Sequence, residues 1–565
     1  MVRLIMTLDE KIAELKSQYD VLSVFDLNQW FSQPGDSAER WLPGQLKTLR
    51  KHSYEHNQRL IFTLTSGDNY ETKSAKVGVA LKNLQFCLNR VDISNFFIII
   101  LTNEPDIDQI IDALQQISHD PVPVNVYEVD EPRIAKKLIL KTQQSYYQYN
   151  SSDLVKMDMD ELSDREKFLL TESKTFCIYP WIHLHAYPSG KAYPCCHAEM
   201  GVGQVGDCHK NTLAEIWQDT PMQQLREDML NETQHSACGR CYEQEANGFF
   251  SGRKSANKHH GHRIKKLETT PFEMTYWDIR FSNLCNLSCR SCGHVFSSSW
   301  YQDQTKLAGP EWAKTHKVLN YAGRTKTDLV DQLLEHIDHV EQIYFAGGEP
   351  LMMEEHYLIL DELERHGRFD VRLIYNTNFT KTRLKTRSVF DYWRKFQSVA
   401  IGASLDDFGS RAEYIRKGTD WSEVEKNRRE MMKICPNVDF YISPTLSILN
   451  AWNLPDFHRH MIEQGLIKSQ DLNVNILQDP PYYRIDIAPA EYKQRLATKY
   501  LDHINWLRDK DPLQRATVGF ESAVKFMMAT DNTHLIDTFW RKTHELDDIR
   551  KEDILKIIPE LAALK

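Results

Sequence analysis

The chain has 565 residues, 41% hydrophobic and 26% charged, enough for packed cores in roughly three or four domains and incompatible with global disorder. Its formal net charge of −10 argues against a nucleic-acid coat, so nucleic acid is not an expected partner. The longest apolar run, Phe96 to Leu101, is far too short to span a bilayer. Met1 to Met6 runs into a charged helix without a cleavable-signal pattern, so no membrane association and a reducing cytoplasm are expected.

In chain order, an amphipathic helix is expected from Leu8 to Tyr19. Strand-like RLIFTLT (59–65), a helix over 73–89, strand-like NFFIIILT (95–102), a helix over 106–117 and strand-like VPVNVYEV follow. Alternation on this scale predicts a small open α/β domain, residues 1–165, carrying neither a phosphate-loop nor a dinucleotide fingerprint. Residues 130–170 read as a charged helical connector. A cysteine-dense module over 170–262 comes next, ending in the polar SANKHHGHRIKK, read as a solvated linker. From Thr275 the alternation becomes strict. Strand-like MTYWDIRFS, EQIYFAG, VRLIYNTN, SVAIGASLD, VDFYISPTLS and LNVNILQ are separated by helical stretches over 328–339, 354–366, 389–396, 421–434 and 454–464. Repeated βα predicts a parallel sheet or partial barrel, residues 270–487. Residues 488–565 read as a C-terminal helical region.

Eleven cysteines are an odd number, and seven stand at ligand-like spacings, which in a cytosolic chain favours metal over disulfide. Cys285-Asn-Leu-Ser-Cys289-Arg-Ser-Cys292 gathers three thiols just past a strand. A [4Fe–4S] cube takes four cysteines, so three leave one iron open, as catalysis needs. On spacing alone a zinc loop stays open as an alternative.

This segment resembles the cluster loop of the radical S-adenosylmethionine (SAM) superfamily, with Ser291 where an aromatic usually stands. Further elements of that family follow in order at the ends of successive strands. Gly347-Gly348-Glu349-Pro350 resembles the element that meets the SAM amino group. Asn378 lies in a TN-type element near SAM. Ser404-x-Asp406 resembles the element that reaches the ribose hydroxyls, and Arg416 matches an arginine that pairs with the SAM carboxylate. The resemblance spans about residues 274–480 and implies a partial (β/α)6 TIM-like barrel.

The earlier module carries Cys177, twelve residues to Gly190, four more to Cys195, then Cys238-x2-Cys241. This pattern resembles the twitch/SPASM auxiliary domains, here placed ahead of the barrel rather than after it. The resemblance implies a second [4Fe–4S] cluster on Cys177, Cys195, Cys238 and Cys241, with structural zinc as the alternative. Cys196 and Cys208 are surplus, and Cys87 and Cys435 read as structural.

Taken together, the resemblance implies an enzyme of the oxidoreductase type. It would cleave SAM reductively at a [4Fe–4S] cluster to a 5′-deoxyadenosyl radical and abstract a substrate hydrogen atom, with the auxiliary cluster in electron transfer. A flavodoxin- or ferredoxin-type reductant protein is the implied partner. A peptide or protein substrate is expected, with a sugar or nucleotide as the alternative. A non-catalytic iron–sulfur or zinc scaffold is the alternative of another class.

Overall fold

The computed structural model describes five strands between residues 21 and 139, then residues 161–246, 251–269 and 272–564. The chain divides into two units, Met1–Leu154 and Val155–Lys565. In the first, β1 (Val21–Asp26), β2 (Arg59–Thr63), β3 (Phe96–Thr102), β4 (Pro123–Glu128) and β5 (Ile134–Ile139) form one sheet in sequential order. β1 to β4 are parallel and β5 is antiparallel. β5 corrects the reading of residues 130–170 as wholly helical. Pairing with β4 overrides the charge of its IAKKLI sequence, as edge strands commonly allow. The helices expected over 8–19, 73–89 and 106–117 lie outside the described residues, as does Cys87.

The second unit is organised by one eight-stranded sheet. β6 (His183–Ala186), β7 (Lys191–Tyr193) and β8 (Gly206–Asp207) belong to the cysteine-rich module. β9 (Tyr276–Ile279), β10 (Gln342–Phe345), β11 (Arg372–Thr377), β12 (Val399–Ala403) and β13 (Asp439–Ile442) belong to the barrel. Their order is β13-β12-β11-β10-β9-β6-β7-β8, parallel from β13 through β6. The curve continues past β13, where Thr445–Leu446 pairs in parallel with Asn475–Ile476. The barrel sheet and the module are therefore joined edge to edge through β6 and β9.

Period-2 side-chain alternation gives this sheet two unlike faces. Outward, Phe345 and Tyr375 pack on His356 and Trp393 from helices Glu354–Arg365 and Val389–Trp393. On the inner face the groups are polar. Arg280 lies over the Tyr344 ring at 4.8 Å, and a Cβ on Gly402 would fall 2.7 Å from Asn376 Oδ1 and 3.1 Å from Tyr441 Oη. A polar lumen is what a partial barrel needs in order to hold a ligand rather than close as a core.

The polar SANKHHGHRIKK stretch is not a solvated linker. It forms a helix, Gly252–His260, and a 3-10 segment, Gly261–Thr269, with Arg253, Asn257 and His260 buried. Its polar groups are spent on backbone. Asn257 accepts from Ile178 N (2.9 Å) and donates to Phe176 O (3.1 Å), and Arg253 donates to Ser173 O and Phe176 O. Composition alone concealed this, because the partners of Asn257 and the Arg253 Nη1 group, on Ser173, Phe176 and Ile178, lie some 80 positions away, while Glu245 completes the hold on Arg253. The C-terminal region is helical as expected, with helices Ala490–Leu507, Arg515–Ala529, Ile536–Arg550 and Ile554–Ile557. Among the described residues no helix is long and apolar enough to cross a membrane.

Candidate active site and auxiliary metal centre

The loop after β9 carries Cys285, Cys289 and Cys292. Ser288–Cys289 pairs antiparallel with Arg416–Lys417, which pins the middle of the loop. Burial pushes the Cys285 and Cys292 thiols up to about 12 and also raises Cys289, and the three thiols lie close enough to raise one another. Three thiols that resist ionisation, Cys289 buried and Cys285 and Cys292 half-buried, suit a positively charged metal centre, whose binding would drive off their protons. Three donors face the sulfurs: Leu287 N at 3.5 Å and Asn378 Nδ2 at 3.9 Å from Cys285 Sγ, and Arg416 Nη1 at 3.7 Å from Cys289 Sγ. N–H groups aimed at sulfur stabilise thiolate, so this loop fits an anionic iron–sulfur group.

Strand ends β10 to β12 ring the loop. Gly348 has φ +47°, and a Cβ there would lie 2.4 Å from Leu284 O, so the turn after β10 must be glycine to lie against the cysteine loop. Glu349 N donates to the same carbonyl at 2.7 Å. The Glu349 carboxylate is buried and accepts from Thr377 Oγ1 (2.7 Å), Asn378 N (2.7 Å) and Leu351 N (3.1 Å). Burial raises it to about 7 against those hydrogen bonds. Pro350 opens the short helix that follows, Pro350–Met352. Asp406 and Arg416 face each other: Arg416 Nε lies 2.8 Å from Asp406 Oδ2 and Nη2 3.0 Å from Oδ1. Ser404 is half-buried at the end of β12, its N–H on Thr377 O. Sequence placed these residues separately. The structure gathers them at one mouth of the barrel and couples Asp406 to Arg416.

The second cysteine set converges too. Cys177, Cys195, Cys238 and Cys241 line one pocket, with His197 and Arg253 beside them. All four thiols are raised chiefly by burial, Cys238 to about 12, and they raise one another. Gly190, at φ +80°, makes the turn between β6 and β7 that brings Cys195 back toward Cys177. Cys208 stands apart, buried with Asp207 and Asp328 as its charged neighbours. Cys196 lies near Tyr187 and Tyr344, toward the barrel, and does not line the pocket. Cys435 is buried, its thiol on Phe390 O.

Sequence reasoning missed three features. His197 sits in the auxiliary pocket, its ring 2.6 Å from where a Gly252 Cβ would be. At the β6–β9 seam, His183, His185 and Asp278 are buried together, with His185 Nδ1 3.1 Å from Asp278 Oδ2. Arg280 already matches that carboxylate, its Nε 2.9 Å from Asp278 Oδ1, so the charge that would draw a cation is taken. Third, Arg290, inside the cysteine loop, is buried on Asp547 and Glu552 from the C-terminal region and lies 3.7 Å over Tyr414. None has a local sequence signal, because each depends on partners from distant segments.

Residues 177–242 match the SPASM iron–sulfur cluster-binding domain. No curated protein matches the chain. Among solved structures, anSMEcpe with bound AdoMet is 20% identical, over 40% of this chain and 60% of that one, at a TM-score of 0.29. SuiB from Streptococcus suis, bound to S-adenosylmethionine, is 14% identical over 48% and 59% of the two chains, at 0.25. TYW1 with a lysine-pyruvate adduct is 12% identical over 40% and 70%, at 0.22. The chain thus spans about three fifths of the length of the first two. Residues 177–242 are thus a SPASM-type iron–sulfur module, joined through β6 to a parallel sheet whose first loop bears the Cys285, Cys289 and Cys292 thiols.

Proposed function

We propose that the protein is a radical SAM enzyme of the oxidoreductase type. Cys285, Cys289 and Cys292 hold the SAM-binding [4Fe–4S] cluster, and Cys177, Cys195, Cys238 and Cys241 hold an auxiliary one. The observation that carries this reading is convergence: the three-thiol loop is ringed by Gly347, Gly348, Glu349, Asn378, Ser404 and the Asp406–Arg416 pair at successive strand ends. A cluster held by Cys285, Cys289 and Cys292 would supply the electron for reductive cleavage of SAM and so the radical chemistry by which a substrate hydrogen atom is abstracted.

The chain's own part is binding and orientation. Glu349, fixed by Thr377 and two backbone N–H groups, offers a carboxylate to the SAM ammonium. Asn378 and Arg416 hold the thiolates by N–H groups. Arg416 with Asp406 presents a paired polar surface to the SAM carboxylate and ribose. The auxiliary pocket offers four thiols, so a cube there has no vacant iron and is suited to electron transfer.

For the substrate we propose a peptide or protein. Among the described residues β1 and β5 are the two edge strands of the N-terminal sheet, which supports this, since an edge strand can take an extended chain by strand addition. A flavodoxin- or ferredoxin-type reductant in the cytoplasm is the proposed electron source. The test is anaerobic reconstitution with iron and sulfide, then SAM and dithionite, with 5′-deoxyadenosine as readout. Protein that holds zinc and no iron, and releases no 5′-deoxyadenosine, would sink the reading.

A further inference from the structure

The proposed reaction needs an electron from outside the chain, and the two flanks of the cysteine loop differ. One flank is closed by the C-terminal helices: Arg290 is buried on Asp547 and Glu552, and Arg550 donates to Ser288 O at 2.7 Å. The other flank, residues 293–318, meets the same helices only in part: Arg550 lies over Trp300 and binds Asp303 at 2.9 Å. Three of the ten exposed large apolar side chains among the described residues fall in this short stretch: Val295 (56% exposed), Val318 (51%) and Leu307 (39%).

These side chains stand on a built surface. Asn283 donates through Nδ2 to His294 O (2.9 Å) and Val318 O (3.3 Å) and accepts from Asn320 N (2.8 Å), which binds both valine segments to one buried side chain. Beneath them the His294 ring meets Trp312 edge-on at 5.0 Å, and Trp312 stacks on His316 at 4.4 Å. This stretch carries three lysines against Asp303, which Arg550 binds, and Glu311. Lys306 and Lys317 are exposed, with no carboxylate partner among the described residues, and Lys314 pairs with Glu311 at 2.6 Å.

Resting on the proposed function, we infer that this patch is the docking surface for a small one-electron carrier protein with an acidic surface, which reduces the Cys285–Cys292 centre. Three physical arguments favour that occupant. Val295 is three residues from Cys292, so their Cα atoms are at most about 11 Å apart, and a carrier seated here is next to the loop. Transient electron-transfer complexes use small interfaces, below about 1,200 Å² in total, so a modest apolar patch with a charged rim suffices. The chain as a whole carries −10, so an acidic carrier is repelled elsewhere and steered toward Lys306 and Lys317.

The experiment compares two reductants on the reconstituted holoenzyme. Cluster reduction is followed by anaerobic stopped-flow absorbance with an acidic, fully reduced flavodoxin and, separately, with dithionite, at low and high salt. The variants are Lys306→Glu/Lys317→Glu and Val295→Ser/Val318→Ser. The expected result is a flavodoxin-driven rate at least about tenfold lower in both, with the salt dependence lost or reversed in the lysine variant. Dithionite-driven reduction and 5′-deoxyadenosine release should match the parent. Equal flavodoxin rates in parent and variants would overturn the docking surface. So would variants slowed equally with dithionite, since the patch would then support the loop or admit substrate rather than receive a carrier. A parent that dithionite cannot drive to 5′-deoxyadenosine would instead overturn the enzymatic reading beneath it.

Discussion

At the scale of single residues, Glu349 separates a binding role from a supporting one. Its carboxylate holds Thr377 and the N–H groups of Leu351 and Asn378, so alanine there would orphan buried donors as well as remove a charge. Glu349→Gln keeps the shape and removes the charge. It should weaken SAM by the value of one charge-assisted hydrogen bond, about 1.5–3 kcal/mol, or roughly ten- to hundredfold in Kd. Equilibrium binding to the reconstituted protein, beside a melting curve, checks this, and an unchanged Kd would displace the carboxylate from the SAM site. Gly348 is a different kind of residue. Any side chain meets Leu284 O at 2.4 Å and a backbone at φ +47°, so Gly348→Ala should lower the melting temperature and loosen the cysteine loop together. Both positions were legible in the sequence, because a glycine pair before a carboxylate at a strand end is a local signal. The coupling of Asp406 to Arg416 was not: ten positions separate them, and only the return of Arg416–Lys417 alongside Ser288–Cys289 brings them face to face.

Whole elements show where local reading stops. The C-terminal helices were legible as helices by their apolar stripes, but not as part of the site. Asp547 binds Arg290 and accepts from Tyr414 Oη (2.9 Å) and Ile554 N (2.9 Å), while Glu552 bridges Arg290 and Lys417 (2.6 Å). Removing one of the two carboxylates that hold the buried Arg290 weakens that clasp on the cysteine loop, with Glu552 left as the remaining partner. Asp547→Asn should therefore speed iron loss to a chelator from the barrel cluster while the auxiliary cluster's loss rate holds. Equal release from both clusters would mean a general loss of fold. The segment 252–269 likewise clasps the barrel through Glu341, which binds His262 at 2.9 Å and Arg263. Burial opposes the ionised Glu341, and hydrogen bonds from His262 and Arg263 more than offset it, bringing it from the usual 4.5 down to about 2. A depressed carboxylate adds stability above its unfolded value that is lost as pH falls through the folded one. The cluster-free protein should thus lose part of its stability between about pH 4.5 and about pH 2, and Glu341→Gln should flatten that part of the titration. Melting curves across this range are the measurement, and an unaltered slope in the variant would remove Glu341 from the account.

For the molecule as a whole, the unusual fact is the seam: the cysteine-rich module is not tethered beside the barrel but continues its sheet, with β6 in register on β9. A sheet continuous through β6 and β9 would hold metal centres in the module and in the barrel in fixed relation more rigidly than a loop could. If both sites fill as proposed, anaerobically reconstituted protein should carry about eight iron atoms, and the triple change Cys285→Ala/Cys289→Ala/Cys292→Ala about four. The role of the auxiliary centre is then separable from that of the barrel. Cys238 lines the auxiliary pocket with three other thiols, in the module that carries β6, β7 and β8 rather than at the strand ends around Cys285, Cys289 and Cys292. Under the proposed function SAM cleavage would draw on the barrel loop alone, whereas completing an oxidation would require somewhere for the substrate's electron to go. Cys238→Ala should therefore abolish net product while 5′-deoxyadenosine formation continues. The pocket is also part of the module's core, and metal binding contributes to folding, so circular dichroism and a melting curve must show the module intact. A folded variant that still turns over substrate at the parental rate would exclude the electron-acceptor role. A shift in the parent's auxiliary-cluster spectrum on adding substrate would point to an iron that Cys238 and its three partners leave open, and so to direct substrate ligation.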